Sequence, residues 1–297
     1  MSKAEVASVL GRGTSAATAS THLVQATDQL VIIAGNGVYP QLVAEAARTA
    51  GLKKVVAIAF LGETDPKLEN IVEKISWLRV GQLNRMLSIL RKWKITHAIM
   101  SGQIAPRNLF DLRPDWHALL LLAKLKRRNA ESVFSAIALE LDKIGVTLLP
   151  ATAFMEQFLA TAGLIAGKKL SRRQEQDIAF GWKIARQIAA LDIGQTVIVK
   201  NGTVLAIEAF EGTNQAIQRG GALAGGKAIV IKAAKPNQDM RFDVPVIGVE
   251  TIEIAAESKI SVIAVEAHRT LLLERDAVTE RAKEAELTLF GYSGSDR

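Results

Sequence analysis

The sequence predicts an α/β protein of two domains: an N-terminal Rossmann-like unit built on a parallel sheet and a C-terminal mixed α/β unit. Three observations predict it. From Leu30 onward, short β-rich apolar runs alternate with helical patterns, as in a parallel sheet covered on both faces. After Pro150 the pattern changes, and two strand-like runs flank Asn201-Gly202, the strongest short-range signal for a type I′ hairpin. The length of 297 residues suggests two domains at roughly 150 residues each. The expected boundaries are a disordered extension over 1–29, a nucleotide-binding-like domain over 30–145 and a catalytic domain over 146–297.

The extension is rich in Ser, Ala and Thr and has no apolar run long enough for a signal-peptide core or a membrane span. Leu30–Ala34 then reads as a buried strand, followed by Gly35-Asn-Gly-Val-Tyr-Pro40 and an amphipathic helix to about Ala50. Val55–Phe60, Trp77–Val80 and His97–Met100 are the next strands, with helical segments near Lys67–Lys74 and Leu83–Trp93 between them. A helix from Asn129 to about Lys143 and a strand over Val146–Leu149 close this half. In the second half, Ser171 opens a helix to about Leu191, and Gln195–Lys200 and Thr203–Ala209 form the hairpin. Ala228–Ile231, Val244–Ile247, Thr251–Glu257, Ser261–Val265 and Thr270–Leu273 supply further strands and helices.

Composition narrows the chemistry. The chain is 49% hydrophobic and 23% charged, enough to bury a core without staples. It contains no cysteine, which excludes disulfides, thiolate metal sites and cysteine nucleophiles and favours a reducing, intracellular setting. Its four histidines (His22, His97, His117, His268) lack metal-ligand spacing. A net charge of +7 points to an anionic partner without choosing among nucleotide, nucleic acid and acidic membrane. The longest apolar patch, Ala118–Ala123, is too short to cross a bilayer.

Ligands of parallel sheets bind at the carboxyl ends of the strands, an edge that here carries Gly35-Asn36-Gly37, Gly81-Gln82 and Gly102-Gln103. The glycine turn after the first strand lacks the third glycine of a dinucleotide fingerprint, because residue 40 is proline. It reads either as a pocket for phosphate or nucleobase or as a structural tight turn. Lys200 and the run Glu208-Ala-Phe-Glu211-Gly212-Thr213-Asn214 flank the hairpin exit, where Thr213 or Asn214 suits an N-cap or a phosphate-receiving helix start. The richest stretch is Lys232–Gly248, where Lys232, Lys235, Asp239, Arg241 and Asp243 share a loop stiffened by two prolines. Such a loop is either a solvated turn of mutual salt bridges or a site for a phosphorylated ligand and a divalent metal.

Several segments together resemble one family, the bacterial UDP-2,3-diacylglucosamine pyrophosphatases that lack metallophosphatase motifs. The resemblance rests on Leu30–Pro40, Gly102–Pro106, Ser171–Asp177, Asp192–Val197, Glu208–Asn214 and Lys235–Pro245, and spans roughly Leu30 to Leu289. It implies a metal-dependent hydrolase of lipid A biosynthesis that splits UDP-2,3-diacylglucosamine into UMP and 2,3-diacylglucosamine 1-phosphate, with water directed at the sugar-side phosphorus. It also implies two domains clasping the substrate and an essential aspartate in the second. That aspartate maps onto Asp243 of Arg-Phe-Asp-Val-Pro, with Asp239 as competitor, and the same pair is the expected ligand set for Mg²⁺ or Mn²⁺. Lys232, Lys235 and Arg241 are expected to neutralise the pyrophosphate. The acyl chains need an apolar groove, for which Leu109–Leu112 and Leu119–Leu122 are the candidates. The expected location is the cytoplasm, with peripheral attachment to the acidic inner face of the membrane. The alternatives are a nucleotide-sugar transferase or oxidoreductase using the first sheet edge, and a non-enzymatic nucleic-acid-binding module. Nucleic acid is disfavoured as a partner because aromatic residues are few and no binding motif is present.

Overall fold

The computed structural model describes residues 29–104, 114–125, 130–236 and 238–294. The expected extension over 1–29 (save Gln29) and the apolar candidate Leu109–Leu112 lie outside the described residues.

Strand β1 (Gln29–Ala34) is buried on both sides from Leu30 to Ala34, which is why its sequence is a continuous apolar run rather than an alternating one. It sits at the centre of a five-stranded parallel sheet in the order β3-β2-β1-β4-β5, with β2 at Lys54–Phe60, β3 at Lys74–Leu78, β4 at His97–Ser101 and β5 at Thr147–Leu148. Leu30, Ile32 and Ala34 face α1 (Tyr39–Thr49), which offers Val43, Ala44 and Ala47 at helical spacing. Val31 and Ile33 face α2 (Leu83–Trp93), α3 (Trp116–Lys124) and α4 (Ala130–Asp142) on the other side.

The third strand lies three residues earlier than the apolar run Trp77–Val80 suggests, and the expected helix over Lys67–Lys74 is a short 3-10 turn, Pro66–Asn70, capped by Asp65. β3 is an edge strand whose first four residues are not fully buried, so its sequence carries little apolar signal. β5 pairs with β4, and Leu149, Ala151, Ala153, Phe154 and Met155 pack in the core beneath the same sheet. The first unit therefore runs well past residue 145.

The second unit is a six-stranded mixed sheet in the order β6-β13-β11-β9-β7-β8. Its strands are β6 (Gly163–Ala166), β7 (Thr196–Lys200), β8 (Thr203–Ile207), β9 (Ala228–Lys232), β11 (Ile260–Glu266) and β13 (Thr288–Tyr292). β9, β11 and β13 run parallel, whereas β6, β7 and β8 join antiparallel to their neighbours. Val197, Val199, Ile229 and Ile231 point to α5 (Arg172–Ala190), while Ile198, Val230, Ile263 and Val265 point to α6 (Thr213–Ala224), α7 (Val249–Glu257) and α8 (Arg275–Glu284).

Helix α5 starts with a capping box in which Ser171 and Gln174 satisfy each other's backbone N–H groups. Asn201 and Gly202 both adopt positive φ, 53° and 72°, as a type I′ turn requires. The buried carboxylate of Asp177 accepts both of their N–H groups, at 2.9 and 2.7 Å, and so ties the turn to α5.

The two units are joined by more than one passage of chain. β10 (Val246–Ile247) pairs with β12 (Leu271–Leu272) in a small parallel ribbon, and Leu271 and Leu273 are buried in the core of the first sheet. Val244 and Val246 pack on that same core, and the N–H of Ala151 bonds to the Met240 carbonyl at 2.7 Å. These contacts press the loop after β9 against the first unit.

Candidate active site

A cavity of about 280 Å³ lies where α4 of the first unit meets three loops of the second. Glu131 and Phe134 come from α4, Asp192 to Gln195 from the α5–β7 turn, Glu208 from the end of β8, and Lys235, Phe242 and Asp243 from the loop after β9. Phe134 and Phe242 stack at 5.7 Å between ring centroids and join the two units across its wall.

Lys235 is the hub. Its ammonium contacts Asp192, lies 3.5 Å from Glu131 and 3.6 Å from Asp243, and its side chain is 18% exposed. Burial pulls Lys235 down, but Asp192, Asp243 and Glu131 together outweigh it and hold the ammonium above the ordinary lysine value. Burial pushes Asp243 above the usual aspartate range, an effect that Lys235 and a hydrogen bond from Gln195 only partly offset.

The loop that carries these two residues is held from both sides. The Lys235 N–H donates to Gln238 Oε1 and Gln238 Nε2 donates to the Asp243 carbonyl, both at 2.5 Å. Behind it, the Glu266 carboxylate at the end of β11 accepts the Ala234 N–H at 2.7 Å and lies between Arg186 at 3.8 Å and Arg269 at 3.6 Å. Arg186 returns a bond to the Ala234 carbonyl at 3.0 Å.

The structure separates the two aspartates that the sequence left as competitors. Asp239 is closed on Arg241 in a two-pronged pair, 2.9 and 2.7 Å, and also accepts the Arg241 N–H. Arg241 holds the Asp239 carboxyl below the usual range, and Asp239 in turn raises Arg241. Asp243 lines the cavity and Asp239 does not.

Lys232, buried at the end of β9, donates to Thr213 Oγ1 at 2.7 Å, and Thr213 donates to Glu208 at 3.0 Å. Thr213 is thus part of a polar chain leading to the cavity rather than an N-cap. Gly212, at φ 88°, holds the cap position of α6 without a side-chain bond. Asn214 turns to α7, with its Nδ2 3.2 Å from Glu250. Glu211 bonds within its own turn and pairs with Arg219 at 2.5 Å. Lys200 lies at the far end of β7, roughly 13 Å along the strand from Thr196, and donates to the Ala224 carbonyl at the end of α6. It belongs to the opposite edge of the sheet.

At the first sheet's carboxyl edge the predicted glycines do meet. The N–H of Gly35 bonds to Ser101, and Asn36 and Gln103 exchange backbone bonds at 2.7 and 3.3 Å. A Cβ on Gly35 would strike the Gln103 carbonyl, and one on Gly102 would strike that of Asn36, so both positions need glycine for close approach. The turn spends these N–H groups on itself, which leaves them unavailable to a phosphate. The Gly37 N–H is likewise taken, by the Asn36 side chain. Beside this turn the buried Ser101 hydroxyl has no partner among the described residues. Gly81 and Gln82 form the turn into α2, with the Gly81 carbonyl accepting from Asp115 and the Gln82 side chain accepting from Arg79.

Glu131, Gln195 and Glu266 are site residues that the sequence reading did not single out. Gln195 lies in the Asp192–Val197 segment that carried part of the resemblance. Glu131 and Glu266 give no local signal, since one is a helix-start acid and the other ends a strand.

No group of three or more acidic or histidine side chains that could hold a metal ion exists among the described residues. A protein-only metal cage does not fit. No helix among the described residues is long and apolar enough to cross a membrane.

Fold and site define a two-domain α/β protein with an acidic, lysine-bridged cavity between its halves. The chain belongs to the LpxI family: residues 29–158 match the model of the LpxI N-terminal domain and residues 161–290 that of the LpxI C-terminal domain. It is 29% identical over 280 residues to the UDP-2,3-diacylglucosamine pyrophosphatase LpxI of Caulobacter vibrioides, covering 91% of this chain and 99% of that one. Among solved structures, the biotin carboxylase domain of Hydrogenobacter thermophilus 2-oxoglutarate carboxylase overlaps 68% of this chain and 42% of that one, at 10% identity and a TM-score of 0.27, too low to bear on the fold.

Proposed function

We propose that the protein hydrolyses the pyrophosphate of UDP-2,3-diacylglucosamine to UMP and 2,3-diacylglucosamine 1-phosphate, a step of lipid A biosynthesis, with Asp243 as its essential carboxylate. The observation that carries this reading is similarity to a UDP-2,3-diacylglucosamine pyrophosphatase over 91% of this chain and 99% of that one. Geometry supports the choice of aspartate: Asp243 lines the cavity, whereas Asp239 is consumed by Arg241.

Water adds to one phosphorus, the bridging P–O bond breaks, and the two monophosphates separate. Asp243 would orient the attacking water or accept its proton, a role that needs the ionised form. Gln195 and Lys235 hold its carboxylate from two sides. Lys235 is already surrounded by carboxylates, so its part is to keep Asp243 charged and in place rather than to serve as a free phosphate ligand. The wall is rich in acids, with Glu131, Asp192, Glu208 and Asp243 against Lys235. An anionic pyrophosphate entering it calls for added positive charge, and Mg²⁺ or Mn²⁺, for which Asp243 would be the protein ligand, would supply it. Such an ion would neutralise charge on the pyrophosphate.

At about 280 Å³ the cavity is too small for a diacylated nucleotide sugar, so only the central part of the substrate fits inside it. The nucleoside is assigned to the first sheet's carboxyl edge beside Ser101. The lipid product and the net positive charge favour peripheral attachment to an acidic membrane face. The test is release of UMP by pure protein supplied with UDP-2,3-diacylglucosamine and Mg²⁺. No release by the wild-type chain overturns the assignment.

A further inference from the structure

Helix α3 is unusual in what it shows to solvent. Trp116 is 73% exposed, Leu119 47% and Leu120 44%, and Ala123 is exposed behind them, a stripe at spacing three, four and seven. The opposite face, through Ala118 and Leu121, packs into the core of the first unit. Leu119 and Leu120 thus stand on an outward ridge while Leu121 turns inward, so the segment does not form the acyl groove expected from the sequence.

Positive charge surrounds the ridge. Residues 79–94 carry five Lys or Arg and no Asp or Glu, and α3 itself carries Lys124 and no acid. Lys124 ends α3, and the neighbouring α2 exposes Arg85, Arg91 and Lys92, with Lys94 just beyond it. The nearest acids are engaged: Asp115 accepts the N–H groups of Ala118 and Asn84, and Glu140 is paired with Lys143 and His117. A tryptophan-led apolar stripe bordered by cations matches an interfacial helix lying on anionic lipid.

We infer that α3 is the membrane-docking element of this protein, with Trp116, Leu119 and Leu120 seated among the acyl chains and the basic residues of α2 and α3 on anionic headgroups. The helix is also connected to the site. His117 Nε2 lies 3.0 Å from Glu140 of α4, and the first turn of α4 carries Glu131 and Phe134 to the cavity wall. Docking through α3 would seat on the bilayer the same unit whose α4 lines the cavity, a benefit that rests on the reading of the substrate as a lipid.

The test is flotation of the full chain with vesicles of phosphatidylcholine mixed with phosphatidylglycerol, and with vesicles of phosphatidylcholine alone. The wild-type chain is expected to float with the mixed vesicles, much less with neutral ones, and to be released by salt. Leu119→Gln/Leu120→Gln should weaken vesicle binding by about tenfold or more. Lys124→Glu should weaken it by a smaller factor and steepen nothing else. All these residues are exposed, so unchanged thermal melts certify the fold of each variant. Wild-type failure to float, equal affinity for neutral vesicles, or full binding by the double variant would each overturn the inference. The vesicles contain no nucleotide lipid, so this outcome is independent of UMP release.

Discussion

Replacing Lys235 with methionine gives a direct reading of the charge on Asp243. Methionine keeps the volume of the aliphatic stem and removes the ammonium 3.6 Å from the Asp243 carboxylate. Asp243 already sits above the usual aspartate range because of burial, and Lys235 is the largest influence pulling it down. Taking that influence away must raise it further, because Asp243 then faces Glu131 with no cation between them. The Asp243 side chain is 38% exposed, so solvent screens the pair strongly. Coulomb's law at 3.6 Å with an effective dielectric of roughly 40–80 gives about 1–2 kcal/mol, equivalent to about one pH unit. The assay is UMP release across pH, read as kcat/KM so that the free enzyme's groups are reported. The ionised carboxylate is the active form, so the acid limb of the wild-type profile should lie above the ordinary aspartate value. In Lys235→Met it should move about one unit higher, alongside any fall in the plateau. An acid limb that stays in place or moves to lower pH would refute the pairing of Lys235 with the catalytic carboxylate.

Three further expectations follow from the same geometry. Asp243→Asn should lower kcat by several orders of magnitude while UDP-2,3-diacylglucosamine still binds, measured by calorimetry, and Asp239→Asn should lose far less activity and chiefly loosen the loop. Equal losses in both would remove the distinction drawn between them. A chelator should abolish UMP release and Mg²⁺ or Mn²⁺ should restore it, and full turnover in excess chelator would show that the substrate's charge is met by the protein alone. Asp177→Ala, which removes a charged acceptor shared by the Asn201 and Gly202 N–H groups, should cost about 1–3 kcal/mol in denaturant unfolding, with kcat unaltered because the turn lies at the far edge of the sheet.

The regular elements with strong periodicity were readable in the sequence. Leu83–Trp93 is a helix over the predicted residues, β1 lies where its apolar run is, and the Asn-Gly turn forms the expected hairpin. β3 was displaced because an edge strand needs few apolar residues. The richest loop did line the candidate site, but its charges were not readable one by one. Sequence shows that Lys235, Asp239, Arg241 and Asp243 are neighbours, not that Arg241 neutralises Asp239 while Lys235 faces three carboxylates from separate elements. Lys200 was misplaced because a hairpin motif does not say which end of its strands faces a ligand. Glu131 was missed because it reaches the cavity only once α4 of the first unit docks on the second. The glycine turns were found where expected, yet their donors turned out to be satisfied by each other.

The small ribbon of β10 and β12 has a consequence for how the protein can be divided and how it can move. The chain leaves the first unit after β5, then dips back against it twice, through Val244–Val246 and again through Leu271–Leu273. Cutting between residues 158 and 161, where the two family models part, yields an N-terminal piece whose core has lost two buried leucines. The two sequence modules therefore share a core. Opening of the cleft is limited in the same way, because one hinge cannot swing two bodies stitched together at three places. For the cleft to widen, all three passages would have to flex together.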